Sequence, residues 1–315
     1  MVHSKKGKPL RLDSVSRREF LTFAAGGAAA ALTGERAMAD TIIRKPIPRT
    51  GEVLPVIGLG TWQTFDVGSN KAARAPLKDV LRQFVQAGGS VIDSSPMYGS
   101  SETVAGDIAQ EFGLHKQIFR ATKVWTQGRD AGIRQMEESF SRLRTERMDL
   151  MQVHNLVDYR THLETLRRWK EQGKVRYIGV THYTASAYDQ LARVLETEEM
   201  DFVQLNYSLA EREAEKRLLP LAAEKRIAVL VNRPFAQGQL FGRARGKALP
   251  LWAKEIGCTS WAQFFLKFVV SHPAVTCAIP ATAKVDHLID NMRGGLAPMP
   301  DAATRERMAR HFAEL

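Results

Sequence analysis

The 315-residue sequence predicts an α/β fold, a (β/α)8 barrel of parallel strands. Three observations predict it. Eight short apolar runs, rich in β-branched residues, recur between residues 56 and 280. Longer stretches with apolar residues at helical spacing lie between them. Glycines stand just past several of those stretches, where chains commonly leave a helix. An unbroken apolar run suits a strand buried on both faces, and alternating helices supply the crossovers that parallel strands need.

The elements follow in order. Residues 41–55 alternate around Pro46, Pro48 and Gly51, and are expected to form a hairpin that closes the barrel bottom. Strands are expected over 56–60, 91–93, 118–123, 149–154, 177–180, 202–206, 227–231 and 276–280. The first helix is expected over 77–87, where Leu77, Val80, Leu81, Phe84 and Val85 share one face. Similar stripes cover 103–112, 133–143, 163–171, 185–195, 211–224 and 261–270, and a last helix-like stretch covers 301–315. Gly88-Gly89, Gly113 and Gly173 end three of these stretches. Residues 40–315 read as a single domain.

The N-terminus reads as an export signal. Ser16-Arg17-Arg18-Glu19-Phe20-Leu21 is a twin-arginine pattern, Thr22 to Leu32 is mildly apolar, and Ala37-Met38-Ala39 is a small-x-small cleavage site. The apolar run is too short to span a bilayer, so residues 1–39 are expected to be removed. The expected partner is the twin-arginine export machinery and the expected location the periplasm. That route carries folded proteins, which hints at a tightly held ligand.

The formal charge of +11 is partly this segment's, since residues 1–39 hold seven basic and three acidic residues. No dense Lys/Arg block with interleaved aromatics occurs, which argues against nucleic acid. There is no Gly-x-Gly-x-x-Gly, no Gly-x-Ser-x-Gly and no Cys/His pair at zinc spacing. Cys277 lies in an apolar strand and is expected to be a buried inert thiol, and Cys258 forms no spacing pattern with it.

Four polar residues sit at or just after the ends of three successive strands: Asp93 and Tyr98, then Lys123, then His154. Parallel barrels place their chemistry at that end. A carbonyl that accepts a hydride develops negative charge on oxygen and needs a proton at that moment. A tyrosine with a pKa near 10 is a poor donor unless a neighbouring ammonium lowers it. Lys123 is expected to do so for Tyr98, with Asp93 fixing Lys123 and His154 orienting the carbonyl. Taken singly, each of the four has a bland reading as a cap, packing residue, solvated charge or structural His. Their order and spacing as a set point to chemistry. Glu102 reads as structural, at the start of a helix. Trp62 and Trp125 follow strands one and three, where they can line a substrate pocket or pack in the core.

Gly89-Ser-Val-Ile-Asp93-Ser-Ser-Pro-Met-Tyr98-Gly99-Ser-Ser-Glu102 resembles the signature of the aldo-keto reductases. Ala121-Thr122-Lys123 and Asp149-Leu-Met-Gln-Val-His154-Asn155 match that family in order and spacing, and the resemblance covers residues 50–295. It implies an NAD(P)H-dependent reduction of an aldehyde or ketone, with NADPH favoured and NADH possible, and no metal. It also implies that the nicotinamide carboxamide meets Thr181, His182 and Gln204, with His182 standing where relatives have Asn. Arg233 stands where relatives have an aromatic residue, and is expected to lie over the nicotinamide or reach the pyrophosphate. Residues 279–291 resemble the family's ribose-phosphate segment. There Thr282, Lys284 and His287 would meet phosphate and Asn291 the adenine, while Ala281 replaces an often basic residue.

The same residues admit two other readings. One is an exported NADP(H)-binding redox sensor or binding subunit with little turnover. The other is a metal-dependent barrel hydrolase using Asp93 and His154. The loop after strand four is short, which suggests an open pocket and broad specificity.

Overall fold

A computed structural model describes Met1 and residues 41–315; the expected signal and its cleavage site lie outside the described residues. The hairpin is present as β1 (Arg44–Pro46) and β2 (Val53–Pro55), paired antiparallel. The barrel strands are β3 (Leu59–Gly60), β4 (Val91–Asp93), β5 (Phe119–Val124), β6 (Met148–His154), β7 (Val175–Thr181), β8 (Phe202–Asn206), β9 (Ala228–Asn232) and β10 (Val275–Ala278). They form one eight-stranded sheet in chain order, each parallel to the next.

The first barrel strand is shorter than expected, yet it closes the circle. Ile57 bridges Ala278 and Gly60 bridges Ala281. Gly58 N donates to Ala278 O at 2.8 Å, and Ala278 N donates to Val56 O at 2.9 Å. This seam is tight: a Cβ on Gly60 would lie 2.8 Å from the Ile279 carbonyl oxygen.

The interior has two zones. Ile47 and Leu54 of the hairpin region share an apolar cluster with Val91, Phe119, Leu150, Tyr177, Phe202 and Leu230 of the strands. Side chains two residues apart on a strand share a face. Asp93 therefore follows Val91 inward, Gln152 and His154 follow Leu150, Gln204 follows Phe202, and Asn232 follows Leu230. The barrel interior is apolar at the bottom and polar at the top. The intervening residues, among them Ile92, Met151, Val180, Val203 and Val229, pack in the second, larger apolar cluster.

The helices outside are α1 (Lys71–Gln86), α2 (Ser101–Glu111), α3 (Arg129–Arg142), α4 (Tyr159–Glu171), α5 (Tyr188–Thr197), α6 (Leu218–Glu224), α7 (Gln239–Ala244), α8 (Trp261–Val270), α9 (Val285–Arg293) and α10 (Ala302–Ala313). Helix α1 starts six residues before its apolar stripe, because Asn70 caps it by accepting from Ala73 N at 3.2 Å. The expected helix over 211–224 is broken. A 3-10 turn at Glu213–Glu215 precedes α6, and Arg217 between them has non-helical dihedrals (φ −140°, ψ −50°). Residues 42–315 form one compact unit. Cys258 and Cys277 are buried and free. Burial pushes the Cys258 thiol up to about 12 and raises Cys277 as well.

Closure at Gly60 gives a test. Gly60→Ala is expected to cost on the order of 2 kcal/mol, because the added methyl meets backbone that cannot move aside. A urea titration would record this as a lower midpoint at unchanged slope.

Candidate active site

Strand β4 ends at Asp93, and a turn returns the chain to the barrel mouth. Tyr98 N donates to Ser95 O at 3.0 Å within it. Gly99 then takes φ +57°, and a Cβ there would fall 2.3 Å from the Asp66 carboxylate. Asp66, in the loop after β3, accepts from Ser100 N at 2.8 Å and Ser100 Oγ at 2.9 Å. Those hydrogen bonds hold the Asp66 carboxyl below its ordinary range. The clamp fixes the residues on the far side of Tyr98.

Strand β5 delivers Lys123, which is fully buried. Its Nζ donates to Asp93 Oδ2 and to Ser94 O, both at 2.7 Å, and stands 5.1 Å from the centre of the Tyr98 ring. The other Asp93 oxygen accepts from Gln204 Nε2 at 2.8 Å and Gln152 Nε2 at 3.3 Å. Gln204 Oε1 accepts from Thr181 Oγ1 and from Asn232 Nδ2, each at 3.3 Å. Six strands thus contribute to one hydrogen-bonded network.

Burial works to remove the Lys123 proton, but the Asp93 carboxylate, aided by Tyr98, outweighs it and holds the ammonium above its ordinary range. For Tyr98, burial raises the phenol, Lys123 lowers it and Asp93 raises it; the net direction is upward. Lys123 acts in the expected sense, but the expected net lowering is not found, because desolvation outweighs it. Tyr98 therefore rests as a neutral phenol that carries its proton.

Strand β6 delivers His154, with Nδ1 3.1 Å from Ser95 Oγ. Its ring meets Tyr98 edge-on at 5.9 Å and 83°, and lies 6.5 Å from the Trp125 ring. Burial, with the charges of Lys123 and His182, pushes its pKa down to about 2, so the imidazole is neutral. A Ser95 hydroxyl donating to Nδ1 leaves the proton on Nε2, where it can donate a hydrogen bond to a carbonyl oxygen.

Beyond β7, His182 Nδ1 accepts from Tyr183 N at 3.0 Å and Thr184 N at 3.3 Å. Arg233, at φ +51°, donates from Nη1 to Tyr183 O at 2.9 Å, and its guanidinium stands 5.5 Å from the Tyr183 ring centre. Thr282 is buried, and its Oγ1 accepts from Lys284 N at 3.1 Å. Lys284 stands at the N-cap position of α9 with no capping side-chain hydrogen bond; Lys284 and His287 are exposed, while Asn291 is buried. Trp62 and Trp125 are exposed after β3 and β5, and Met97 and Tyr183 share that exposure after β4 and β7. Glu102 is fully buried, accepts from Thr122 Oγ1 at 2.5 Å and pairs with Arg142 at 3.4 Å. It belongs to the packing outside the barrel.

Known proteins resemble this chain in sequence and fold. The sequence profile of the Aldo/keto reductase family matches residues 56–304.

The chain belongs to the aldo/keto reductase family.

It is 30% identical over 259 residues to methylglyoxal reductase YeaE of Escherichia coli (strain K12), covering 79% of this chain and 88% of that one. The NADH-specific methylglyoxal reductase of the same organism is 26% identical over 298 residues, covering 80% and 89%. Among solved structures, an aldo-keto reductase from Klebsiella pneumoniae in complex with NADPH superposes with a TM-score of 0.70 at 25% identity, covering 86% of this chain and 96% of that one.

For this aldo/keto reductase, the expected catalytic four converge at the barrel mouth. Thr181 and Gln204 join them through hydrogen bonds, whereas Thr282, Lys284, His287 and Asn291 lie on the segment after β10. Sequence reasoning missed Ser95, Gln152 and Asn232. A count of two along each strand from its apolar inner residues finds Gln152 and Asn232.

His154 gives a test with a definite sign. Below an ordinary histidine pKa of about 6.5, the unfolded chain takes up a proton that the folded site refuses. Stability then falls as pH is lowered, by about 1.4 kcal/mol per pH unit for one such group. Urea midpoints for His154→Gln are expected to fall less steeply than wild type from about pH 6 to about pH 4.

Proposed function

We propose that this protein reduces an aldehyde or ketone to an alcohol using NAD(P)H, with Tyr98 as the proton donor. The observation that carries this is the buried Lys123 ammonium, held against Asp93 and 5.1 Å from the Tyr98 ring centre. Two orphaned polar atoms, Asn232 Oδ1 and Arg233 Nε, are buried without a partner beside Gln204 and Tyr183, as a polar ligand there would require. Thr181, His182 and Gln204 would hold the nicotinamide end, Arg233 the ring or pyrophosphate, and Thr282, Lys284, His287 and Asn291 the adenosine end. The cofactor supplies a hydride to the carbonyl carbon. The Klebsiella relative's NADPH and the Escherichia coli relative's NADH specificity support either dinucleotide, with NADPH preferred.

The chain's own residues then do the acid chemistry. His154 Nε2–H orients the carbonyl oxygen. Tyr98 gives its proton as charge develops on that oxygen, and the Lys123 ammonium stabilises the phenolate left behind. Asp93 keeps Lys123 charged and in place. The raised resting pKa of Tyr98 suits this role, since the phenol stays loaded until the oxyanion forms. The substrate is a small-molecule carbonyl, and Trp62 and Trp125 frame an open mouth that favours broad specificity. Methylglyoxal, named for the relatives, is one candidate. Tyr98→Phe is expected to lower kcat by about 10²- to 10⁴-fold while leaving NADPH affinity intact. NADPH oxidation with a panel of aldehydes reads the first, and fluorescence titration the second. A single oxidation of bound cofactor in wild type, with no further turnover, would sink the reading.

We further infer that residues 1–39 are a removed twin-arginine signal and that the barrel works in the periplasm. The twin-arginine pattern, apolar stretch and cleavage site in that order support it. No helix among the described residues is long and apolar enough to cross a membrane. Replacing Arg17 and Arg18 together by Lys is expected to keep the uncut chain in the cytoplasm, as cell fractionation would record.

A further inference from the structure

One polar atom at the barrel mouth has no role in the chemistry above. Asn232 is the last residue of β9 and lies in the inward phase set by Ala228 and Leu230. Its Nδ2 donates to Gln204 Oε1 at 3.3 Å and to His182 O at 3.4 Å. Those partners fix which way its amide points. The His182 partner is a backbone carbonyl, which only accepts. Gln204 commits its nitrogen to the Asp93 carboxylate at 2.8 Å, so its oxygen must face Asn232. Asn232 therefore turns its nitrogen to both neighbours and its oxygen away from them. That oxygen, Oδ1, is buried and has no donor. A buried unpaired amide oxygen is costly to keep unless a ligand supplies the missing hydrogen bond.

The neighbouring groups cannot take its place as acceptor. Gln204 Oε1 already accepts from Thr181 and Asn232, which uses both of its lone pairs. The His182 ring is kept neutral by burial, and its Nδ1 accepts from the backbone N–H groups of Tyr183 and Thr184. Its proton is therefore on Nε2, which donates. A primary carboxamide brings two N–H donors and one carbonyl acceptor. His182 Nε2–H suits the carbonyl, and the N–H groups need an acceptor.

We propose that Asn232 Oδ1 accepts a hydrogen bond from the carboxamide N–H of the nicotinamide, making Asn232 a cofactor-binding residue of this protein. The proposal rests on the reading that this mouth holds NAD(P)(H). It assigns the acceptor function to β9 in a chain whose position after Thr181 is filled by a histidine occupied with its own loop.

The test uses a cofactor that lacks the donor. Acetylpyridine adenine dinucleotide phosphate carries a methyl where NADP+ has its amide nitrogen. Calorimetry on the purified protein is expected to show wild type binding NADP+ about tenfold more tightly than this analogue, as one hydrogen bond of ordinary strength predicts. Asn232→Ala is expected to weaken NADP+ about tenfold and to leave the analogue within about twofold, so that the preference disappears. Asn232→Leu, closer in volume, is expected to lose the preference in the same way. Equal binding of the two nucleotides by wild type would overturn the proposal while leaving the cofactor reading intact. So would a preference that survives in both variants, since Asn232 would then act only by packing. Failure of wild type to bind either nucleotide, and to bind NAD+ in their place, would overturn the cofactor reading itself, and the proposal with it.

Discussion

The buried ion pair between Lys123 and Asp93 is the constraint on which the rest of the site depends. An ammonium with no exposed surface is tolerable only if its charge and its hydrogen bonds are met. Asp93 Oδ2 and the Ser94 carbonyl meet them from the end of the neighbouring strand. That leaves the second Asp93 oxygen to be satisfied, which Gln204 and Gln152 do. Gln204 must then find donors for its own oxygen, and Thr181 and Asn232 supply them. Each member is polar because its predecessor is. A one-residue slip of any strand would turn its member of the network out of the barrel.

This arrangement separates two jobs that a single strong acid would confuse. Asp93 keeps Lys123 protonated, so the site carries a fixed positive charge. Burial keeps Tyr98 protonated, so the proton is held in readiness. The same positive charge, together with burial, pushes the His154 pKa down to about 2, so its imidazole is neutral and free to offer a hydrogen bond without bringing a second charge to the site. In the proposed reaction these electrostatics are asymmetric: stabilisation of phenolate by Lys123 matters most once the proton has moved.

Much of this was legible in the sequence. The strands buried on both faces read as continuous apolar runs, and β8 and α8 fall on their expected residues. The four residues expected to be catalytic were legible because each closes or closely follows such a run. The start of α1 was not, since its first turns are polar and carry no stripe; the Asn70 cap decides it. The direction of the Tyr98 shift was not legible either, because burial is a property of the assembled mouth. Asn232 was the hardest to see. Its partners Gln204 and His182 lie 28 and 50 residues away, and its significance is an oxygen left without a donor.

The two unusual residues after β7 and β9 are best understood together. Taken singly, His182 and Arg233 look like two losses from the family's pattern. In the fold they compensate for one another. His182 spends Nδ1 on the backbone that follows it, which fixes Tyr183 in place. Tyr183 stacks on the His182 ring at 5.6 Å and 7°. Arg233 reaches across from β9 to the Tyr183 carbonyl and over its ring, joining the loops after β7 and β9. A guanidinium held this way has lost freedom before any ligand arrives, so less is lost on binding. Removing His182 would free Tyr183, and a free Tyr183 would leave Arg233 without its anchor. The two departures are one device, spanning two loops, that orders one side of the mouth.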